Sequence, residues 1–500
     1  MTSLEALFAG LGAAMAPEVL MYCFFGVFVG TLIGVLPGIG ALATISLLLP
    51  VSYHIPPAPA IIMLAGVYYG AQYGGSTSSI LLNLPGTPSH AVACLDGHPM
   101  AKQGRAAVAL FMTTIASFSG AMIGLFFLAF FSPSIAEIGL TFGAAEYFSL
   151  MLLGLVAAST MTSGSTVKGL SMVVFGVFLG TIGTDVNTGV HRFHFDVPEL
   201  LDGINFIALA MGVFGVSEVI NSCNRKPGSE PKERISFGSM MPTRSEARRS
   251  VGAIMRGTSM GSLLGALPGA GPSIASFMAY ALEKKTSKHP EKFGHGEIEG
   301  LMGPESANNA ASQTSFIPTL SLGIPGDAVM ALMMTALIIH GIQPGPMLIV
   351  MQPDLFWLLV GGFFISNIML LVLNIPLIGL WASILRIPYH VLYPAILIFI
   401  SLGVYSVNNS TFDMLVVALF GAMGYLLSIL RFDPTPLLLG FVLGALMESN
   451  LRRALLISRG DPMTFIERPI SLTIMIICLA LIVYSMFSAI RARRSRDAAA

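Results

Sequence analysis

Charged side chains are scarce in this sequence of 500 residues. Asp, Glu, Lys and Arg make up 10% of the chain, whereas hydrophobic residues make up 54%. Soluble globular domains carry about 25% charged residues, and a soluble core of this length could not bury so much apolar surface. The formal net charge is zero, so the composition does not indicate a polyanionic partner. The scarcity of charge excludes an ordinary soluble protein and predicts an all-α polytopic membrane protein.

Other missing features exclude further classes. The four cysteines have no paired or ligand-like spacing, which argues against a disulfide framework or a thiolate metal site. The first apolar run, residues 1–34, is not preceded by the positively charged segment of a signal peptide, and we interpret it as part of the mature protein. The chain contains no Gly-x-x-x-x-Gly-Lys-Ser/Thr phosphate loop, so nothing points to ATP as the energy source. The cysteines are Cys23, Cys94, Cys223 and Cys478.

Several long stretches carry no charge at all, among them Ala106–Phe131, Phe356–Leu373 and Ile470–Ile490. Each is close to the roughly 20 apolar residues that cross a bilayer as a helix. Lys and Arg near helix ends mark the cytoplasmic side. The first 101 residues contain neither, whereas the loop 223–250 and the C-terminus are rich in both. The pattern predicts a periplasmic N-terminus and a cytoplasmic C-terminus, although Arg452, Arg453 and Arg459 fall on the outer side.

The sequence also contains an internal duplication. Residues Gly30–Gly40 recur as Gly261–Gly271, with seven of eleven positions identical. A polar segment and a Pro-Gly pair follow each copy in the same order. Five predicted crossings separate the copies, an odd number that would turn the second half upside down. We therefore predict a first transmembrane repeat at 1–222, a cytoplasmic loop at 223–250 and a second repeat at 251–500, the inverted arrangement of many secondary transporters.

The repeated Leu-Pro-Gly-x-Gly element interrupts an apolar stretch in each half. Pro removes a backbone donor and Gly permits turns closed to other residues, so the element predicts a broken helix. Such a break is tolerated in lipid only where protein or a water-filled cavity surrounds it. Basic residues flank the second copy and not the first, which predicts two re-entrant hairpins entering from opposite sides, each followed by a discontinuous helix. The alternative is that Gly30-x-x-x-Gly34 and Gly261-x-x-x-Gly265 are only close-packing faces.

A helix that starts after a break exposes free N–H groups and a partial positive charge, and can hold a carboxylate without Arg. The predicted spans contain no Lys or Arg near their middle. Polar clusters at membrane depth are functional candidates, although single hydroxyls more often satisfy nearby backbone groups. The predicted substrate-binding residues are Gly38, Gly40, Ser76, Thr77, Ser78, Asn83, Gly86, Thr87, Gly269, Gly271, Asn308, Asn309, Ser312 and Gly326.

Amide, hydroxyl and unwound carbonyl oxygens also suit Na⁺, which transporters of this design hold at helix breaks. We predict Na⁺ (or H⁺) as the coupling ion, with Asn308, Asn309 and Thr314 as ligands, and no other cofactor. Glu305 and Asp327 flank this cluster, and we interpret both as helix-end or interface residues rather than ligands.

At these motifs the chain resembles the large membrane subunit of the tripartite tricarboxylate transporters. The likeness extends over essentially the whole length and includes Tyr69–Gly75 and Gly303–Asn309. It implies a multi-pass protein of the bacterial inner membrane that imports organic carboxylates, citrate among the possibilities, without deciding which one. It also implies two partners, a periplasmic solute-binding protein and a small membrane subunit of about four helices, and coupling to a cation gradient.

Two other functions stay open at this point. A channel would share the apolar spans, and broken helices could line its pore. An intramembrane hydrolase would need a nucleophile backed by a base, and Ser89 is followed directly by His90 near the break at Gly86. Adjacency in sequence does not make a catalytic dyad, so we expect no enzymatic activity.

Overall fold

The computed structural model describes residues 3–36, 40–160, 166–185, 188–222, 237–269, 271–384, 394, 397–398, 400–402, 404–405 and 409–497. It is 80% helical, which confirms the all-α prediction. Some predicted features lie outside the described residues, namely the site residue Gly38, Cys223 and the basic residues Arg225, Lys226, Lys232, Arg234 and Arg386.

The first half consists of helices joined by short connections. In chain order these are α1 (Ser3–Ala14), α2 (Pro17–Val35), α3 (Gly40–Ser52), α4 (Pro57–Leu82), a 3₁₀ turn (Pro88–Ala91), α5 (Ala93–Lys102), α6 (Ala106–Gly139), α7 (Ala144–Thr160), α8 (Thr166–Gly180), strands β1 (Gly183–Thr184) and β2 (His191–Arg192), a 3₁₀ turn (Pro198–Leu200), α9 (Phe206–Ala210), a π-helical segment (Met211–Val216) and α10 (Ser217–Ser222).

The second half is built in the same way. After a 3₁₀ turn (Phe237–Met240) it contains α11 (Arg244–Gly265), α12 (Gly271–Thr286), a 3₁₀ turn (Pro290–Lys292), α13 (Ile298–Thr314), α14 (Phe316–Leu322), α15 (Ala328–Ile339), α16 (Pro346–Met351), α17 (Pro353–Asn374), α18 (Ile378–Ile384), α19 (Thr411–Ile429), α20 (Thr435–Ile457), α21 (Thr464–Glu467) and α22 (Pro469–Asp497).

Four described helices are long and apolar enough to cross a membrane: α2, α6, α17 and α19. Shorter apolar helices, such as α3, α8 and α15, accompany them. Helix α8 ends at Gly180, and β1 then pairs with β2 in a two-stranded antiparallel sheet. One boundary differs from the sequence prediction. Helix α11 begins at Arg244, inside the predicted loop, because Thr243 and Glu246 form a capping box at its N-terminus.

Helices α4 and α13 lie at the centre of the molecule. Every residue from Pro59 to Leu81 is buried, and so is every residue from Gly300 to Thr314. Large apolar side chains instead face outward on the surrounding helices, as Phe126, Leu415 and Leu479 do with 58–62% exposure. This distribution, with apolar residues outside and polar residues inside, fits a lipid environment, because contact with lipid tails does not disfavour exposed apolar side chains.

Glycines fix the distance between paired helices, and they do so in the same way in both halves. A Cβ added to Gly26, Gly30 or Gly34 of α2 would overlap the backbone of α4. Added at Gly257, Gly261 or Gly265 of α11, it would overlap the backbone of α13. The close-packing interpretation of the two Gly-x-x-x-Gly motifs is therefore confirmed. The partner residues also recur in order: they are Met63, Val67 and Ala71 in the first half, and Gly303, Ala307 and Ala311 in the second.

The second break is built alike in the two halves as well. Asn83 ends α4 and Gly323 ends α14, both in the left-handed conformation, with φ of 57° and 69°. Proline and glycine follow at equivalent positions. In this conformation Gly costs nothing sterically and Asn is tolerated better than most residues. The matching contacts and caps identify a duplicated unit of two packed helices and a break.

Candidate functional site

The two halves meet at their breaks. Helix α12, which follows the first break of the second half, contacts the 3₁₀ turn Pro88–Ala91 of the first half. Helix α3 contacts α15, which follows the second break of the second half. Each half therefore places a helix that begins after a break beside a broken segment of the other half. The side chains between α4, α6 and α13 form the polar centre of this region.

Glu305 is the hub of that centre. Its Oε1 accepts hydrogen bonds from Ser76 Oγ of α4 at 2.8 Å and from Ser117 Oγ of α6 at 2.7 Å. The Nδ2 of Asn309, one turn along α13, lies 3.3 Å from the same oxygen. Because Glu305 lies in the middle of α13 and is 2% exposed, the prediction of a helix-end residue is wrong for it. The interface prediction holds, since three helices meet here.

His90 connects this hub to the second break of the first half. Its Nε2 lies 3.7 Å from Glu305 Oε1 and 3.2 Å from Asn308 Nδ2. Its Nδ1 lies 2.7 Å from Thr87 Oγ1. Gly75 lies beside the imidazole, where a Cβ would collide with the ring. The break, a histidine and the amide of Asn308 thus form one buried network.

The hydrolase alternative needs a bond between Ser89 and His90. Ser89 Oγ instead shares a hydrogen bond with Thr87 Oγ1 at 2.7 Å and donates to Gln72 Oε1 at 3.2 Å. Both imidazole nitrogens of His90 face other residues, Thr87 and Asn308. The serine is therefore not positioned as a nucleophile activated by this histidine.

The break of the second half carries an acidic cap. Asp327 Oδ1 accepts from the backbone N–H of Met330 at 2.8 Å, so the helix-end prediction is confirmed for this residue. Tyr68 OH, from the other half, donates to Asp327 Oδ2 at 2.9 Å. Gly271 is close by, since its added Cβ would lie 3.2 Å from Asp327 Cβ. The backbone N–H of Gly269 donates to Gly326 O at 2.8 Å, which ties the two breaks of this half together.

The predicted site residues separate into two groups. Ser76, Thr87, Asn308 and Asn309 belong to the buried network, and Gly86 packs against Gly34 and Gly75 beside it. The remaining described ones do not join the network. Asn83 is exposed and serves as a helix cap, Thr77 is buried, and Gly40 and Gly271 begin α3 and α12. The hydroxyls of Ser78, Ser312 and Thr314 donate to backbone carbonyls of their own helices.

Several buried polar atoms of α4 and α13 have no hydrogen-bond partner among the described residues. Asn308 Oδ1 and both amide atoms of Gln313 are in this state, as are the hydroxyls of Tyr69 and Tyr73. Native proteins pair the great majority of such atoms with protein, water or ligand. Unpaired donors and acceptors at the centre of the molecule are the property expected of a site that receives a polar ligand.

In the described interior, acidic side chains are buried and basic ones are not. No Lys or Arg whose burial the structure describes is buried, whereas Glu305 and Asp327 both are. The described arginines that form ion pairs do so where their side chains are at least 28% exposed. An anion that enters the centre therefore meets hydroxyls, amides, an imidazole and helix N-termini rather than a fixed cation.

Three members of the network are not among the predicted site residues. Ser117 lies in the apolar stretch Ala106–Phe131, His90 is weighed only as a possible catalytic base, and Glu305 is interpreted as a helix-end or interface residue. An ionisable residue inside a buried apolar segment is itself a signal of function, and it could have identified Glu305.

Fold and site together define a polytopic α-helical membrane protein with a duplicated broken-helix unit around a buried polar centre. Residues 20–439 match the model of the tripartite tricarboxylate transporter TctA family. The chain belongs to this family and is a membrane subunit of a tripartite tricarboxylate transporter. The match confirms the resemblance drawn from the motifs.

Two proteins of Agrobacterium vitis are similar to the chain. One, described as an uncharacterized 52.8 kDa protein in the TAR-I ttuC' 3' region, is 48% identical over 487 residues, which is 97% of each chain. The other, an uncharacterized protein in the TAR-II ttuC' 3' region, is 52% identical over 236 residues, which is 47% of this chain and 98% of the relative. No solved structure matches the chain.

Proposed function

We propose that this chain is the large transmembrane subunit of a binding-protein-dependent secondary transporter of the bacterial inner membrane. It imports organic di- or tricarboxylates by symport with Na⁺ (or H⁺). It receives substrate from a periplasmic solute-binding protein and works with a small membrane subunit. The observation that carries this proposal is a buried polar centre between the breaks of both halves, whose described residues include carboxyl groups and no Lys or Arg.

The charge of that centre supports cation coupling. A di- or tricarboxylate would add two or three negative charges to an interior that already holds Glu305 and Asp327. Isolated buried charges are expensive, and they persist only when paired or coordinated. With no fixed cation available among the described residues, the balancing charge must enter with the substrate. Symport of Na⁺ or H⁺ provides it.

The donors in the centre support carboxylate binding. Helices α3 and α12 start at Gly40 and Gly271, and their N-termini present N–H groups and a partial positive charge. We assign the substrate to these termini and to the side chains of Ser76, Thr77 and Asn308. The N–H of Gly269 now donates to Gly326 O, and this bond would be exchanged for one to the substrate.

The duplicated helix pairs support an inverted arrangement of the two halves. Each pair has the same glycine contacts, and the same left-handed cap precedes the second Pro-Gly pair of each half. Basic residues flank only the second copy of the break, which favours hairpins that enter from opposite sides of the membrane. Rocking of one repeat against the other around a central site would then give alternating access.

Uptake measured with and without each partner tests the tripartite proposal. Labelled di- and tricarboxylates are offered to proteoliposomes that contain this chain, the small membrane subunit and the binding protein. We expect saturable uptake only when all three are present. If this chain alone carried substrate at an undiminished rate, the tripartite proposal would be wrong.

A further inference from the structure

Glu305 uses only one of its two carboxylate oxygens in the contacts just described. Ser76, Ser117 and Asn309 all direct their donors to Oε1. Within the part of the chain that the structure describes, no donor reaches Oε2. The second oxygen is therefore available to a ligand.

Asn308 supplies a second unused oxygen beside the first. It lies three residues after Glu305, so the two side chains are neighbours on one face of α13. Its Nδ2 faces His90, whereas its Oδ1 is buried and has no hydrogen-bond partner among the described residues. The residue is 1% exposed, so bulk water does not satisfy this oxygen. A carboxylate oxygen and an amide oxygen are thus both without a partner on one face of the helix.

Two hydroxyl oxygens complete the surroundings. Ser76 and Ser117 donate their single protons to Glu305 Oε1, which leaves the lone pairs of both oxygens free to face a positive charge. An environment made of carboxylate, amide and hydroxyl oxygens suits a hard cation, because such cations prefer oxygen ligands. A single carboxylate balances one positive charge.

The duplication shows that the fold does not need a carboxylate here. Helices α4 and α13 are equivalent, with Met63 matching Gly303 and Val67 matching Ala307 in their glycine contacts. The position equivalent to Glu305 in the first half is therefore Ala65, which is fully buried. Since one copy of the unit packs with a methyl group, Glu305 has a role other than packing.

We propose that Glu305 Oε2 and Asn308 Oδ1, together with the hydroxyl oxygens of Ser76 and Ser117, bind a monovalent cation of the size of Na⁺. The site rests on the proposed function, cation-coupled carboxylate import, and adds the anionic ligand that the amide-only prediction lacked. It also explains an asymmetry between the halves. The second half supplies the anionic ligand, Glu305, and the first half contributes neutral hydroxyl oxygens, through Ser76 and Ser117.

Binding of ²²Na⁺ to the full-length chain in lipid nanodiscs, without carboxylate, tests the site. Wild type should bind Na⁺ saturably. Glu305→Gln keeps the shape and removes the charge, and we expect at least about a tenfold loss of Na⁺ affinity. Asn308→Ala should weaken binding by several-fold. Ser119→Ala is the matched control, because Ser119 lies two residues from Ser117 on α6 and donates to its own helix, at Ile115 O. The Na⁺ affinity of this variant should not change.

Each outcome decides the proposal. Loss of affinity in Glu305→Gln, or in Asn308→Ala should the first variant not stay monodisperse, supports the site. Unchanged affinity in the folded variants, or a wild type that binds no Na⁺, overturns it. Carboxylate uptake by the wild-type complex is measured in parallel. If the wild-type complex takes up carboxylate but Glu305→Gln binds Na⁺ as tightly as wild type, this site alone is refuted. If Na⁺ binding depends on Glu305 but the complex takes up no carboxylate, the transport function is refuted.

Discussion

Three donors from three helices converge on one oxygen of Glu305, and this convergence shapes the centre of the molecule. Hydrogen bonds to a charged group contribute about 1.5–3 kcal/mol each, so Ser76, Ser117 and Asn309 offset part of the cost of burying it. The same bonds link α4 and α6 to α13. The polar groups at the interface of the halves are thus arranged around an acid, and the proposed site places the carboxylate substrate next to it.

At this scale we predict that Asn308→Ala weakens carboxylate binding. The amide lies against His90 at the break, and its loss removes one donor and one acceptor from the site. Losing one buried partner costs about 1–3 kcal/mol, which corresponds to roughly a five- to two-hundredfold loss of affinity. The affinity of the folded variant for the substrate, measured by competition in proteoliposomes, checks this. Unchanged substrate and cation affinity would remove Asn308 from the site.

Asn308 and Asn309 could be predicted as site residues from the sequence, whereas the residues that share their network could not. Two adjacent Asn residues are costly to bury, so they stand out in an apolar chain. Ser117 does not stand out, because most serines in membrane helices donate to their own backbone, as Ser119 does. What distinguishes the two serines is how α6 is rotated against α13, which depends on tertiary packing.

The repeated helix pairs are the main feature at the scale of elements. Helix α2 packs on α4, and α11 on α13, through glycines spaced four residues apart. Backbones that approach this closely gain dispersion contacts, which are a principal source of helix association in lipid. These close contacts therefore hold the two helices of each pair together.

We predict that Gly261→Ala destabilises the protein. The added methyl group would overlap the backbone of Ala307, and overpacking of this kind costs about 1–3 kcal/mol. Gly12→Ala is the control, because nothing lies within 4 Å of its added Cβ and alanine favours a helix. Thermal unfolding of the purified variants should show a lower midpoint only for Gly261→Ala. Equal midpoints would mean that this contact does not hold the pair together.

The breaks were predictable from the sequence, and the orientation of the helices around them was not. Pro-Gly pairs inside apolar stretches predict an interruption wherever they occur. Helices α4 and α13 are buried on all sides, so neither carries the amphipathic pattern that would reveal which face meets which neighbour. Similarly, the strands β1 and β2 have only two residues each, too few for any alternation to show.

At the scale of the whole molecule, the distribution of basic residues predicts the topology. The loop 223–250 and the C-terminus should be cytoplasmic, and the N-terminus periplasmic. The turn between α6 and α7, at residues 140–143, should lie outside and serves as the comparison. Reporter fusions at these positions check the prediction. A periplasmic reporter within residues 225–249 would contradict both the topology and the inverted repeats.

The most direct test of the central claim is carboxylate accumulation against its own gradient in proteoliposomes that contain this chain, the small membrane subunit and a loaded binding protein. An inward Na⁺ or H⁺ gradient is imposed, and the internal concentration of labelled substrate is followed. Symport around the buried polar centre predicts accumulation above the external concentration, which collapses when an ionophore removes the gradient. Uptake that only equilibrates, at the same rate with and without the gradient, would contradict the account.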